Sequence, residues 1–379
     1  MSGLPSSAPL HLERVESHVL RAPVTAPVRN SFRTLHAREA LLVRVCDQDG
    51  AWGWGEIWCN YPPGAAAHRA RLVDEFFAPL LAGRRFDGPA QAFAELERAA
   101  RVPALQCGEL GPYAQVIGGI DVALWDLAAR RAGEPLWRWL AGSSRVKAYA
   151  SGIGPDRPEA IVGAKLAEGY RAVKMKVGFG DAVDQRNVRA VREVLGSGGE
   201  LMLDANQRWE VADATAAANR LAEYEPVWLE EPIAADEPVE AWAALAAAVS
   251  VPLAAGENLR GLAAFTALIE SRTVRYIQPD AGKWGGCSGG LAVARRAARE
   301  GCTFCPHWLG GGVGLMASLH LLAASGGAGW AEIDANANPL RTDFLPADWS
   351  VRDGEIALGT APGIGVEPDA EAIERYRAR

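Results

Sequence analysis

From residue 146 onward one pattern repeats along the chain: a short β-rich run, then an alanine-rich amphipathic stretch. The runs are VKAYASG (146–152), RAVKMKVG (171–178), ELMLDAN (200–206), VWLEEP (227–232), VPLAAGEN (251–258), VRYIQPD (274–280), CTFCPH (302–307) and WAEID (330–334). Between them lie segments such as VDQRNVRAVREVLG, PVEAWAALAAAV and GGLAVARRAAREG, with apolar residues at helical spacing. Eight βα-like units in succession predict a parallel barrel rather than an open sheet.

The segment before the repeat has a different texture. LLVRVCDQDGAWGWGE (41–56) reads as two strands joined at a DG turn. AHRARLVDEFFAPLLAG (67–83) and QVIGGIDVALWDLAARRAGEPLWRWLAG (115–142) read as helices. We therefore expect a mixed α+β part over 1–140, a barrel over 141–345, and a C-terminal segment over 346–379. That last segment is too small to fold alone and should pack back on the N-terminal part.

The repeat also carries charge in register. Lys174 and Lys176 share one face of their strand, because side chains alternate with a period of two. Two buried ammonium groups on one face need acids nearby. Acids occur at the C-terminal ends of the following runs: Asp204 with Asn206, Glu230 with Glu231, Glu257 with Asn258, then Asp280, followed by His307 and Glu332. Counting Lys176, Asp204, Glu230, Glu257, Asp280, His307 and Glu332, the gaps are 28, 26, 27, 23, 27 and 25 residues, one unit each. Each side chain thus comes from the mouth of a different strand, where barrel enzymes carry their chemistry.

Asp204, Glu230 and Glu257 come from three consecutive runs. Three converging carboxylates repel unless some are protonated or a cation sits among them. All-oxygen ligation favours a hard ion, with Mg²⁺ the first choice. Asp280 and His307 come from the next two runs. A carboxylate on one ring nitrogen fixes the tautomer, raises the imidazole pKa and leaves the other nitrogen as a base.

The set KxK, LDAN, WLEEP, GEN, PDAGKWGG and the strand-seven histidine resembles the mandelate racemase branch of the enolase superfamily, across almost the whole chain. The resemblance implies an α+β capping domain on a modified (β/α)7β TIM-like barrel, assembled as a homo-oligomer. It implies Mg²⁺ held by Asp204, Glu230 and Glu257. It also implies a base that removes the proton α to a substrate carboxylate, giving an enediolate; Lys or His bases with Mg²⁺ are a known feature of this superfamily. Lys176 and His307 would be the bases. Lys174 would sit near the carboxylate and depress the pKa of Lys176 by like-charge proximity. Glu332, if protonated, would donate to the enolate, and Asn206 would orient a ligand or substrate oxygen.

Two bases flanking one carbon permit dehydration or racemisation of a 2-hydroxy acid. We favour dehydration of an acid sugar, because the expected capping-domain loops are polar. These are RAPVTAPVRNSFRTLHAR (21–38), with Asn30, Ser31 and Arg33, and EIWCNYPPGAAAH (56–68), with Trp58, Asn60 and Tyr61. The alternatives are a mandelate racemase-like racemase or epimerase and, more distantly, a Schiff-base lyase using Lys176. WLGGGVG (308–314) departs from the mandelate racemase pattern, and its glycines are expected to bring backbone N–H groups near substrate.

Composition excludes other classes. The chain has 379 residues, 49% hydrophobic and 22% charged, which supplies a large core. A net charge of −7 with no basic run disfavours nucleic acid. No apolar run reaches membrane-span length, and MSGLPSSAPLHLERVESHVL lacks a signal-peptide pattern, so a cytoplasmic protein is expected; the small-molecule carboxylate substrate is what the resemblance implies. The six scattered cysteines form no disulfide framework.

Overall fold

The computed structural model describes residues 8–29 and 34–378. Its first element is a long ribbon of β1 (Leu10–Arg29) and β2 (Thr34–Asp47), extended by β3 (Trp52–Ile57). All three pair antiparallel, and β4 (Arg85–Phe86) closes the sheet in the order β3-β2-β1-β4. The ribbon corrects the expectation of a loop over 21–38. Arg21 pairs with Glu39, Ala22 with Arg38 and Pro23 with Ala37, so main-chain pairing continues well into that segment. Asn30, Ser31 and Arg33 lie outside the described residues.

Helices α1 (Ala65–Leu72), α2 (Ala78–Leu81), α3 (Pro89–Cys107), α4 (Leu110–Arg131) and α5 (Leu136–Trp139) complete the N-terminal part. Helix α4 is buried along Val116–Ala129, because it is wedged between the ribbon and the rest of the molecule. Gly119 is required on it: a Cβ there would overlap the Ile57 side chain of β3.

All eight predicted βα strands form: β5 (Arg145–Ile153), β6 (Ala172–Lys176), β7 (Glu200–Asp204), β8 (Leu229–Glu230), β9 (Leu253–Ala255), β10 (Tyr276–Ile277), β11 (Thr303–Phe304) and β12 (Trp330–Asp334). They run parallel in sequence order from β5 to β11, and β12 pairs with β5. A Cβ at Gly329 would overlap the Phe304 carbonyl, so β12 also lies against β11 and the ring comes round. The intervening helices are α6 (Pro158–Ala167), α7 (Asp181–Leu195), α8 (Val211–Leu221), α9 (Val239–Ala248), α10 (Leu262–Glu270), α11 (Gly286–Glu300) and α12 (Gly312–Ala324). After α13 (Pro339–Thr342), β13 (Val351–Arg352) and β14 (Glu355–Ala357) form a hairpin on the outer edge of β5. The final helix α14 (Ala370–Tyr376) brings Ala378 N–H to the Val19 carbonyl of β1. Among the described residues no helix is long and apolar enough to cross a membrane, and all six cysteines are free.

Candidate active site at the barrel mouth

The strand period decides what enters the barrel. Positions two apart point the same way, so each strand offers an inner residue and, two residues on, another nearer its C-terminal end. The deeper set includes Ala172, Met202, Trp228, Ala254 and Cys305, which form one apolar cluster with Tyr149. Trp228 lies at its centre, with Tyr149, Tyr276 and Trp330 at centroid distances of 5.5, 4.9 and 5.8 Å. Above this floor stand Lys174, Asp204, Glu230, Gln278, His307 and Glu332, all buried.

The acids and the bases meet there. Lys174 Nζ lies 2.7 Å from both Glu230 carboxylate oxygens, 2.8 Å from Glu332 Oε1 and 3.6 Å from Asp204 Oδ2. Lys176 Nζ donates to Asp204 Oδ2 at 2.5 Å. His307 Nδ1 is 2.6 Å from Asp280 Oδ2, and its Nε2 is 3.0 Å from Glu257 Oε2. Asn206 enters through its backbone: its N–H donates to Asp204 Oδ1 at 2.8 Å. The structure thus links the side chains of Lys174, Lys176, Asp204, Glu230, Glu257, Asp280, His307 and Glu332 in one chain of contacts, and Asn206 joins it through its main chain.

It also adds Lys283 and Gln278, which the spacing argument passed over, and shows how Glu231 and Asn258 are engaged. Lys283 donates to Glu257 Oε2 at 2.7 Å and to Asn258 Oδ1 at 3.1 Å, and its ammonium lies 4.9 Å from the centroid of the Trp58 ring. Gln278 Nε2 donates to Glu230 Oε2 at 2.6 Å. Glu231 accepts from Asn258 Nδ2 at 2.8 Å through one oxygen; its other oxygen is buried with no partner. The sequence signal for Lys283 was PDAGKWGG itself, where the helical turn after the strand returns the lysine toward Glu257.

Charge states follow from these pairs. Burial opposes the charge on Lys174, but Glu230 and Glu332 outweigh it and raise its pKa well above the ordinary value. Burial and Lys174 both lower Lys176, as expected for the latter, yet the adjacent Asp204 carboxylate wins and the net shift is upward. The expected depression of Lys176 is thereby corrected, since like-charge proximity is smaller than a direct ion pair. Glu332 is also corrected. Burial raises its pKa, but Lys174 and His307 hold it down at about 2, so it is an acceptor here. It takes Ser151 Oγ–H at 2.5 Å and Trp308 N–H at 3.2 Å. His307 is raised well above its usual range; burial opposes this, but Glu257, Glu332 and Asp280 prevail. Burial pushes Glu230 up to about 7 against the pull of Lys174, and burial beside Glu257 pushes Glu231 up to about 8.

Among the described residues no three His, Cys, Asp or Glu side chains converge on one point at metal-ligand distance. The reason is visible: Lys174, Lys176, Lys283 and His307 each draw a carboxylate aside. The donor chemistry nonetheless fits a hard divalent ion. Asp204 and Glu230 are direct register partners on β7 and β8, and Glu257 follows β9. The unpartnered, buried Glu231 Oε1 adjoins this set.

The second expected loop, 56–68, also joins the N-terminal part to the barrel. Asn60 Nδ2 donates to the Leu309 carbonyl at 2.8 Å, and Trp58 N–H to the Gly282 carbonyl at 3.3 Å, so both bind the N-terminal part to barrel loops. Tyr61 packs on Trp58 with centroids 5.9 Å apart. In WLGGGVG the N–H groups of Gly311 and Gly314 go to the Glu56 carboxylate, at 2.5 and 2.9 Å, rather than toward the mouth.

Two curated relatives and two solved structures show the company this chain keeps. D-galactarolactone cycloisomerase of Agrobacterium fabrum is 29% identical over 97% of this chain and 99% of its own. L-talarate/galactarate dehydratase of Salmonella typhimurium is 35% identical over 68% of this chain and 64% of its own. A mandelate racemase/muconate lactonizing enzyme structure from Bordetella bronchiseptica matches with a TM-score of 0.92 and 53% identity, over 97% of this chain and 99% of that one. A racemase structure from Streptomyces coelicolor with bound magnesium matches with a TM-score of 0.87 and 29% identity, over 97% and 100%. Residues 14–141 match the mandelate racemase/muconate lactonizing enzyme N-terminal domain, and residues 159–372 the enolase C-terminal domain-like family. The chain therefore belongs to the mandelate racemase/muconate lactonizing enzyme family of the enolase superfamily, with its capping domain and α/β barrel.

Proposed function

We propose that this protein is a Mg²⁺-dependent enzyme that abstracts the proton α to the carboxylate of a 2-hydroxy acid, and that it dehydrates an acid sugar. The observation that carries this reading is the pair of candidate bases on one ring. Lys176 ends β6 and His307 follows β11; β5 and β12 lie between them on one side, and β7 to β10 on the other. Asp280 holds His307 Nδ1, which leaves Nε2 toward the mouth.

Asp204, Glu230 and Glu257 would hold the metal, which when bound supplies positive charge to the carboxylate oxygens as the α-proton leaves. Lys174, fixed by Glu230 and Glu332, adds a second positive charge at the same end of the site. The floor of Trp228, Tyr149 and Trp330 excludes water from below, which strengthens these interactions. In dehydration one base takes the α-proton and forms the enediolate. The conjugate acid of the other then protonates the β-hydroxyl, which leaves as water, and the resulting enol becomes a 2-keto-3-deoxy acid. The acid-sugar substrates in the names of the curated relatives support this substrate class. The Schiff-base lyase reading leaves the ring of Asp204, Glu230 and Glu257 around the lysines without a role.

The test is a screen of mono- and diacid sugars and simple 2-hydroxy acids in D₂O with Mg²⁺, read by proton NMR. A 2-keto-3-deoxy product is the expected result. Deuterium at the α-carbon without loss of water would replace dehydration by racemisation or epimerisation. Turnover that survives exhaustive chelation would overturn the metal assignment.

A further inference from the structure

Helix α12 begins at Gly312 with Gly311 as its N-cap residue, and no side chain of its own segment caps it. The first N–H groups of a helix lack internal partners, and a buried helix start must find them elsewhere. Here the acceptor comes from 255 residues away. Glu56, at the end of β3 and 3% exposed, takes Gly311 N–H on Oε1 at 2.5 Å and Gly314 N–H on Oε2 at 2.9 Å. One carboxylate therefore spans the N-cap and the third helical residue, at the positive end of the helix dipole.

The glycine-rich spelling of this loop follows from that contact. A Cβ on Gly311 would come within 2.7 Å of both Glu56 oxygens, and one on Gly314 would overlap the Trp308 ring. The loop is held at two further points, by Asn60 on the Leu309 carbonyl and by Asn338 on the Gly310 carbonyl, at 2.8 and 2.9 Å.

The same loop carries His307 at its start. Trp308 N–H reaches Glu332 at 3.2 Å, and Trp308 Nε1–H closes on the Gly311 carbonyl at 2.9 Å. The Trp308 ring lies where a Cβ of Gly282 would stand, against the turn whose N–H groups, at Gly282 and Lys283, bind Asp280 Oδ1. Asp280 in turn holds His307. A continuous set of contacts thus runs from Glu56 through Gly311 and Trp308 to the Asp280–His307 pair.

We propose that Glu56 is a positioning residue: the capping domain's carboxylate caps α12 and sets the 308–314 loop that orients His307 for proton transfer. This rests on His307 being one of the two bases of the proposed reaction. It makes the base on one face of the substrate depend on the docked capping domain, while Lys176, on β6, does not.

The experiment compares full-length wild type with E56Q, G311A, H307N and K176A, in D₂O with Mg²⁺ and both C2 epimers of the acid that wild type turns over. Proton NMR follows α-deuterium exchange on each face, the faces being assigned by which exchange H307N and K176A each lose. E56Q keeps the shape but presents one acceptor for two N–H groups; G311A keeps the charge but displaces the head group. Both are expected to slow exchange on the His307 face at least tenfold and to leave the Lys176 face within twofold. Equal losses on both faces, or no loss in either variant, would overturn the proposal. If E56Q does not fold, G311A decides by the same criterion. Amide hydrogen exchange of the 308–314 segment separates this idea from the reaction. Faster exchange in the variants supports the clamp even if no acid is turned over by wild type, a result that would sink the proposed function alone. Unchanged protection there would overturn the clamp.

Discussion

The floor and the mouth of this barrel are built on the same strands, two residues apart, and they obey opposite rules. On β7 the step is from Met202 to Asp204, on β8 from Trp228 to Glu230, and on β12 from Trp330 to Glu332. The floor gains from burial and needs no particular partner. The mouth loses by burial, and each charge persists only because another lies within hydrogen-bond reach. The floor is thus a stability element that tolerates reshaping at a cost in packing, whereas the mouth is a coupled set in which removing one member leaves another unpaired.

The largest effect should come from breaking the mouth at its most connected acid. Glu230 touches Lys174, Gln278 and Trp228 Nε1. E230Q is expected to lower turnover on the order of 10³-fold or more, with weaker Mg²⁺ binding by calorimetry and an unchanged circular dichroism spectrum. Normal Mg²⁺ affinity in that variant would remove Glu230 from the metal set. Next, H307N and K176A should each lose about 10²–10⁴-fold in turnover, while each retains α-proton exchange on one face. Normal rates in both would end the two-base reading.

Breaking the floor should do the reverse. W228A removes the central ring, and we expect a loss of about 3–5 kcal/mol in denaturant unfolding. Turnover at low temperature should fall much less than in E230Q. A W228A enzyme that is stable but inactive would mean that the floor takes part in the chemistry.

The smallest effect sharpens the contrast between two buried histidines. His307 is raised because acids surround it. His320 on α12 has no such company; its Nδ1 accepts Trp137 N–H at 2.9 Å, and burial lowers its pKa to about 3. The unfolded chain protonates this histidine near 6.5 and the folded one does not. Stability present above pH 6.5 is therefore lost as pH falls toward 3, by about 2 kcal/mol at pH 5. Asp121, raised to about 7 by burial against the Ser288 N–H bond, works in the opposite sense over part of that range. The diagnostic is accordingly the difference between wild type and H320Q, which should shrink on going from pH 7 to pH 5 in urea titrations. A constant difference would show that His320 is protonated when folded.

Much of this was legible beforehand. The eight strands and the ring of acids follow from periodicity and spacing, since both report which way a side chain points on a local element; the helical stretch read over 115–142 is two helices, Leu110–Arg131 and Leu136–Trp139. Three things were not legible. The ribbon over 21–29 and 34–38 was hidden because its pairing partner is set by tertiary register, and its prolines resemble a loop. Lys283 was missed because it stands on a turn rather than a strand end. The direction of the Lys176 shift was not legible, and the charge state of Glu332 was left conditional, because the sequence shows that like charges are near but not which opposite charge is nearer.

The sequence by itself determined the eight βα units and the charged residues at their strand ends, because a two-residue strand period and a one-unit spacing are local properties. Only the tertiary structure decided how most of those residues are paired: Lys283 with Glu257, Lys176 with Asp204, and Glu56 with the start of α12. Hydrogen bonds and pKa shifts depend on distances of 2.5–4 Å through space, and those distances exist only once chain segments hundreds of residues apart have been brought together.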